Sequence, residues 1–376
     1  YLFKGNIANA ARLTRKDLVG RTKHFTDARE VVETIRLEAG AYILLPCTYQ
    51  PNVHANFLVQ IHADSELDQV QFIEEAIVQQ DGEWKGPTAG GSFAFPSWRL
   101  NPQYLLTSTV TASAVVSLEQ PSKASVEELP FISVAVIRPN AANSVYAASS
   151  SSAASSSAAK PTSLTVTSRI FNMAPTEVVH LTQFSNVTRC ASIPISISPE
   201  QPLILLPMTM QPGIETTFKI AVNHGSAKLE RLADNLTAKV VEGVWSKANA
   251  TAGGCMNNRE TWLQNPKYRF ATKKPGLLRF VMHQQHLTPP AQGQAPVPLP
   301  PGGFYIFRSP TGQAGFTKQD FVGKTEFAST KEVKAEFELE VGIYCIILTK
   351  FEPGVEGKVS LHMFAPHPEV AIGAMK

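Results

Sequence analysis

Leu37-Glu38-Ala39-Gly40-Ala41-Tyr42-Ile43-Leu44-Leu45-Pro46 is written a second time near the end of the chain, as Leu339-Glu340-Val341-Gly342-Ile343-Tyr344-Cys345-Ile346-Ile347-Leu348. The match runs outward from both copies. Tyr1-Leu2-Phe3 reads as Tyr305-Ile306-Phe307, and Asp17, Val19 and Gly20 read as Asp320, Val322 and Gly323. Glu30-Val31 returns as Glu332-Val333, and Pro51 and Val53 return as Pro353 and Val355. The offset drifts only from 304 to 302, so Tyr1–Ala63 is a copy of Tyr305–Ala365. A middle copy shares the ending: Leu44-Leu45-Pro46, Pro51 and Phe57 recur as Leu205-Leu206-Pro207, Pro212 and Phe218. Self-similarity of this length sets the architecture before any residue chemistry is read.

A second block opens the repeat and occurs twice. It is Gly82-Glu83-Trp84, Thr88-Ala89-Gly90-Gly91-Ser92, Trp98 and Asn101-Pro102-Gln103-Tyr104. The later version is Gly243-Val244-Trp245, Thr251-Ala252-Gly253-Gly254-Cys255, Trp262 and Asn265-Pro266-Lys267-Tyr268. The first copy lacks this opening, and residues upstream of Tyr1 are expected to supply it. Standing alone, the half-repeat would leave an open sheet edge.

Strand patterns dominate. Ala41–Leu45 is a short apolar run between Gly40 and Pro46, and Asn56–His62 alternates apolar and polar. The second is the period of a half-buried strand. Thr48–Asn52 reads as the turn between them. Leu203–Val222 and Gly342–Phe364 repeat this strand–turn–strand, and Glu30–Leu37 and Glu332–Leu339 supply a preceding strand. His224–Asn235 is charged and mildly helical and reads as a linker. Ala147–Ala159 holds only Ser and Ala, too little apolar surface to offset its ordering entropy, and reads as a flexible insert. Pro289–Gly303 carries six prolines and reads as an extended, polyproline-like insert.

The bulk properties bound the function. The sequence of 376 residues is long enough for two or three domains. An apolar fraction of 43% can fill real cores, whereas only 17% charged residues and 27 prolines suit strands and loops better than helices. A net charge of +3 is too weak to imply a nucleic-acid partner. No apolar run reaches the length of a membrane-spanning helix. Cys47, Cys190, Cys255 and Cys345 are scattered without a metal-site spacing. They read as reduced thiols of a cytoplasmic protein, with Cys47 and Cys345 buried in strand-like runs.

At the opening block and the closing strand pair, the chain resembles the calpain family. It is similar to the C2-like β-sandwich called domain III, over essentially all its length except the two inserts. Tandem C2-like domains without an EF-hand calcium loop further resemble the calpain-7 type. The resemblance implies an all-β fold of tandem antiparallel C2-like β-sandwiches. These are a C-terminal half-sandwich at 1–66, a second at 68–223 with the insert 147–159, and a third at 236–368 with the insert 289–303. Trp84, Thr88, Gly90, Gly91, Trp98, Asn101, Pro102 and Tyr104 form the structural motif of the second. Trp245, Thr251, Gly253, Gly254, Trp262, Asn265, Pro266 and Tyr268 form that of the third. The glycines read as tight bends, and Trp98 and Trp262 as anchors between two sheets of eight strands in all.

The chemistry is sparse. A papain-like protease needs a Cys nucleophile, a His base and an Asn in calpain-like contexts. Those contexts are absent, and Cys255 has Ser92 as its counterpart. No catalytic residue is expected in this chain. The resemblance implies an acidic calcium rim, but Leu105–Leu129 holds only Glu119, Glu127 and Glu128, and Arg269–Thr288 holds no acid. No cofactor is expected apart from the calcium that the resemblance implies, which this acid-poor lining puts in doubt, and the isolated histidines point to no metal. Lys267, Arg269, Lys273, Lys274 and Arg279 are a candidate contact for an anionic surface, membrane or protein. The resulting expectation is a non-catalytic regulatory or scaffolding region that docks protein partners, or an upstream protease domain, in a cytoplasmic or cytoskeletal assembly. The alternatives are the C-terminal part of an active calpain-type cysteine endopeptidase, a membrane-targeting C2 module and a structural cytoskeletal component.

Overall fold

Twenty-one strands account for the fold in a computed structural model that describes residues 1–5, 13–50, 53, 57–67, 70, 77–121, 129–139, 169–186, 190–234, 236–288, 297–309 and 316–375. The Ser/Ala segment, the first part of the Pro-rich segment, Pro51, His54, Glu127 and Glu128 lie outside the described residues. The first three strands are β1 (Leu2–Lys4), β2 (Leu18–Gly20) and β3 (Tyr42–Leu44), in the order β2-β1-β3. The next nine are β4 (Val78–Trp84), β5 (Tyr104–Ser108), β6 (Ala112–Glu119), β7 (Ile132–Ile137), β8 (Val178–Leu181), β9 (Cys190–Ile197), β10 (Leu203–Thr209), β11 (Thr216–Val222) and β12 (Ala227–Arg231). The last nine are β13 (Thr237–Trp245), β14 (Lys267–Thr272), β15 (Gly276–Gln285), β16 (Gly302–Arg308), β17 (Phe321–Lys324), β18 (Glu332–Leu339), β19 (Gly342–Lys350), β20 (Gly357–Ala365) and β21 (Val370–Ala374).

The two sets of nine build the same object. A four-stranded sheet β4-β11-β6-β9 faces a five-stranded sheet β12-β5-β10-β7-β8. Strand for strand, β13-β20-β15-β18 faces β21-β14-β19-β16-β17. Alternate residues of each strand point inward and make one apolar core per sandwich, around Trp84, Tyr104 and Phe218 in the middle and around Trp245, Phe280 and Phe304 in the last. Pro207 sits in β10, a position normally closed to proline. Its neighbour β5 pairs only as far as Leu205, so β10 is locally an edge there and no ladder bond is lost.

The repeat read from the sequence is a repeat of register. Leu2 opposes Gly20 and Phe3 opposes Leu18, with an irregularity between them. Ile306 and Phe307 oppose Gly323 and Phe321 with the same irregularity. The turn before β2 is closed by Thr14 N–H and Oγ1 donating to Asp17 Oδ2, and Thr317 and Asp320 repeat both bonds. Tyr42 Oη donates to Glu38 O at 2.9 Å, and Tyr344 Oη to Glu340 O at 2.7 Å.

Several expectations are corrected. Glu30–Leu37 and residues 57–62 form no ladder, although both read as strands. Their counterparts show why: β18 pairs only with β15, and β20 lies between β13 and β15. Among the described residues of 1–63 there is no equivalent of β13 or β15. His224–Asn235 is not helical, because Ala227–Arg231 forms β12 against β5. With β12 and β21, which extends past residue 368, each sandwich has nine strands rather than eight. Gly302 and Gly303 belong to β16, not to an extended insert. Cys47 is exposed, so of the four cysteines only Cys255 and Cys345 are buried.

Candidate functional site

The opening motif is a lock between backbone segments. Asn101 Oδ1 accepts from Gly90 N–H at 2.9 Å, and its Nδ2 donates to Gly91 O at 2.7 Å. Asn265 makes the same two bonds with Gly253 and Gly254. Gly91 and Gly254 have φ of +75° and +77°, the left-handed region that favours glycine. Both lie against the backbone of the closing turn, at Pro212 and Pro353. Thr88 and Thr251 bond the ends of the preceding strands, where Thr88 Oγ1 donates to Lys85 O and Thr251 Oγ1 to Val244 O. Pro102 is buried behind Asn101, and Pro266 O accepts from Leu348 N–H. Tyr268 Oη donates to Glu242 O at 2.7 Å; Tyr104 fills the same place with its hydroxyl unpaired. The motif therefore holds opening and closing halves together and presents no reactive group.

This geometry makes a prediction. A Cβ on Gly253 would lie 1.9 Å from Thr261 O, a backbone atom that cannot step aside. Gly253→Ala is expected to cost about 3 kcal/mol by overpacking. Gly213→Ala, at a turn position with φ +77° and open space around it, should cost about 1 kcal/mol. Equal unfolding midpoints for the two variants would contradict the lock.

The tryptophans divide their work differently from the expectation. Trp84 and Trp245 fill the space between the sheets, and their Nε1 groups donate to Pro207 O at 3.3 Å and Leu348 O at 2.9 Å. Trp98 and Trp262 do not. They cover the outer face of each five-stranded sheet, Trp98 over Ile204 and Leu206, Trp262 over Tyr305 and Phe307. Trp84 and Trp245 end a strand, whereas Trp98 and Trp262 sit in short 3-10 turns, Pro96–Leu100 and Trp262–Gln264, outside the sheets.

One cluster joins the two complete sandwiches. Arg99, beside Trp98, is 1% exposed. Its Nη1 and Nη2 donate to Glu332 Oε1 and Oε2 at 3.2 and 2.8 Å, a two-pronged pair that spans the seam. Its Nε donates to Phe171 O at 2.8 Å, and its guanidinium lies over the rings of Trp98 and Phe171. Phe171 belongs to a strap, residues 169–174. Arg169 anchors the strap to Asp234 and to the carbonyls of Arg99 and Asn101, and Ile170 exchanges two bonds with Gln103. From this strap Phe171 packs edge-on against Phe364, and with Leu100 and Val281 it forms a buried apolar patch. Asn172 Nδ2 and Arg279 Nε both donate to Glu336 Oε1. Sequence reasoning missed Arg99, Phe171, Glu332 and Glu336; none belongs to a motif repeated in the other sandwich.

The electrostatics of the seam follow from burial. Burial alone would raise the Glu332 carboxyl, but the hydrogen bonds and charge of Arg99, with Lys334 and His283 nearby, hold it below its ordinary range. His362, on the same sheet face, is pushed down to about 4 by burial and by the charges of His283 and Arg99, against the pull of Glu332. It is therefore neutral at pH 7.

The basic group does not form one surface. Arg279, expected to face an anionic partner, is 8% exposed and committed to Glu336 and Phe171. Lys274 pairs with Glu369 at 2.8 Å. Lys267 donates to Leu263 O, and it and Arg269 lie on β14, away from the turn that carries Lys273 and Lys274. Cys255 is buried and receives a long contact from Asn258 Nδ2. Among the described residues there is no group of three potential metal ligands, and no helix long and apolar enough to cross a membrane.

A buried lysine adds a pH signature. Lys350 is 1% exposed, lies over the Trp245 ring, and donates to Gln284 Oε1 at 2.6 Å and to Pro300 O at 3.2 Å, with no carboxylate at hand. Burial pushes its ammonium down to about 8 from an ordinary 10.5. Between those values the unfolded chain binds more protons than the folded one, so the Lys350 contribution to stability should rise with pH from about 8 to 10, by up to about 3 kcal/mol. Cys345 from about pH 9, and Tyr104 and Tyr268 from about pH 10, all pushed up to about 12 by burial, act in the opposite direction. Denaturation midpoints of the wild type should climb across pH 8–9 and those of Lys350→Met should not. Parallel curves would refute the assignment.

Fold and motif together define tandem antiparallel β-sandwiches, each fastened by a Gly-Gly/Asn lock. A family model described as calpain large subunit, domain III, matches residues 5–62 and 241–364. Residues 5–62 and 241–364 are thus similar to calpain domain III, and the shared strand order extends the same sandwich fold to the middle body. Serine/threonine-protein kinase 4 homolog B of Dictyostelium discoideum is 28% identical over 363 residues, covering 94% of this chain and 29% of that protein. A calpain of Schistosoma mansoni is 24% identical over 161 residues, covering 38% and 19%. Calpain-5 of Rattus norvegicus is 28% identical over 134 residues, covering 34% and 21%. The chain thus spans less than a third of the length of these relatives. A Penaeus vannamei nodavirus structure aligns with 70% of this chain and 82% of its own at 9% identity and a TM-score of 0.18, too low to bear on the fold.

Proposed function

We propose that the chain is the non-catalytic regulatory and scaffolding region of a calpain-like protein, holding protein partners or a protease domain at set positions on its tandem sandwiches. The observation that carries this reading is the seam. A guanidinium buried at 1% exposure and gripped by two carboxylate oxygens from the next sandwich is costly to release. The two bodies therefore keep one relative orientation, as a spacer requires. The relatives add support: the longest match is to a protein named as a kinase, the shorter ones to proteins named as calpains. A region that accompanies differently named proteins suits a structural part better than a catalytic one. Dispersal of the basic residues favours protein partners over an anionic membrane. The scattered spacing of the cysteines fits a cytoplasmic setting.

Small-angle scattering of the purified chain tests the spacer, and incubation with a denatured protein substrate tests the absence of catalysis. We expect one rigid envelope, unchanged between low and moderate salt because a buried pair is little screened, and no cleavage. Freely hinged scattering or substrate turnover would each sink the reading. The calpain-named relatives favour a second reading, the C-terminal part of an active cysteine endopeptidase. A peptidase assay on the longer polypeptide, with and without Arg99→Ala, separates the two.

A further inference from the structure

The contact between the two complete sandwiches is built on a sheet face that carries two histidines. His283 on β15 stands directly opposite Glu332 on β18 and Ser360 on β20, and His362 is its diagonal neighbour on β20. The guanidinium of Arg99 lands on that same Glu332. His362 stacks on Phe364, the ring that Phe171 covers edge-on, and its Nε2 lies 3.3 Å from Ser360 Oγ. The residues that alternate with this face, Met282, Leu361 and Met363, fill the core of the last sandwich. Without the middle sandwich the histidine face would meet water, so the partial burial of both rings is a property of the closed seam.

Cations already outnumber carboxylates around the two rings. Arg279 on β15, Lys334 on β18, Lys358 on β20 and Lys331 just ahead of β18 stand beside them. The middle sandwich adds Arg99, next to the uncharged Leu100, Phe171 and Asn172. The facing carboxylates are Glu332 and Glu336 on β18 and the exposed Glu242 on β13. Arg99 holds Glu332, and Arg279 and Asn172 hold Glu336. A proton on either histidine therefore sits uncompensated beside Arg99 or competes with it for Glu332. Burial, then His283 and Arg99, keeps His362 down to about 4, and burial keeps His283 below its ordinary 6.5 against the pull of Glu332. Both rings return to the ordinary range once the seam opens. The open form then binds more protons, so the closed form loses ground as pH falls from about 6.5 to about 4. Glu332, held below its ordinary range by Arg99 against its own burial, stays ionised at about pH 5. We propose that the seam is an acid-release switch, in which protonation of His283 and His362 frees the last sandwich from the middle one while each stays folded. The switch rests on the spacer reading and makes its fixed orientation conditional on pH.

Small-angle scattering of the purified chain from about pH 7.5 to about pH 4.5, with far-UV circular dichroism alongside, tests the switch. The expected result is one rigid envelope at the neutral end that opens to a hinged pair with a midpoint near about pH 5 and no loss of strand signal. His283→Gln combined with His362→Gln should keep the strand signal and move that midpoint down by at least about one pH unit. His362→Gln alone should give part of the shift. A wild type that stays rigid down to the acid end would overturn the switch and leave the spacer standing. Hinged scattering already at the neutral end would overturn both. A double variant that opens at the wild-type pH, or strand signal lost together with the envelope, would overturn the switch alone, because the histidines would then not act at the seam.

Discussion

Glu332→Ala is expected to remove about 3 kcal/mol of coupling between the two complete sandwiches. The loss comes mainly from what stays behind. Arg99 is 1% exposed and keeps its charge, with its bonds to Pro96 O and Phe171 O but no counter-charge. Arg99→Ala should cost a similar amount for a different reason, since it removes the cation stacked between Trp98 and Phe171 and leaves Glu332 partly buried. The double variant Arg99→Met with Glu332→Met should be far milder than the sum of the single changes, because an apolar pair of similar volume needs no charge compensation. Calorimetry reads this directly. The wild type should unfold with the sandwiches coupled, and each single variant should separate the transitions. Additive effects in the double variant would mean the two side chains do not act on each other.

Trp245→Ala should destabilise the last sandwich by about 4 kcal/mol. The indole is wholly buried between the sheets, and its loss opens a cavity bounded by Tyr268 and Leu348 and strips Leu348 O of its donor. It also uncovers the Lys350 ammonium, which lies 4.6 Å from the ring centroid. Trp262→Ala should cost about 2 kcal/mol, because that ring is only half-buried over Tyr305 and Phe307. Denaturant titration of the two variants decides which tryptophan fills the core. A larger loss from Trp262→Ala would reverse the assignment.

The repeat was legible because register is what the repeated residues encode. Asp17 and Asp320 recur since each closes the same turn, and Tyr42 and Tyr344 recur since each caps its own strand with one bond. The Asn and Gly-Gly spacing recurs because one side chain must reach two adjacent glycines. The seam left no such trace. Arg99, Phe171 and Glu332 come from three distant places and meet only once both sandwiches are folded; Glu332 recurs as Glu30, but nothing in that match points to Arg99. Arg279 misled for the same reason, since as a basic residue on an apparent sheet face it read as surface until its sheet met a second body. Glu30–Leu37 has the composition of a strand, but a strand needs a ladder partner, and composition alone does not say whether one is at hand.

The central claim is that the middle and last sandwiches are held in one orientation by the Arg99–Glu332 seam. Pulsed dipolar spectroscopy tests it most directly, with spin labels at the exposed Cys190 and at Glu242→Cys in a Cys47→Ser background. The account predicts one narrow distance distribution that broadens when Glu332→Ala is added. A broad distribution before any change at Glu332 would contradict it.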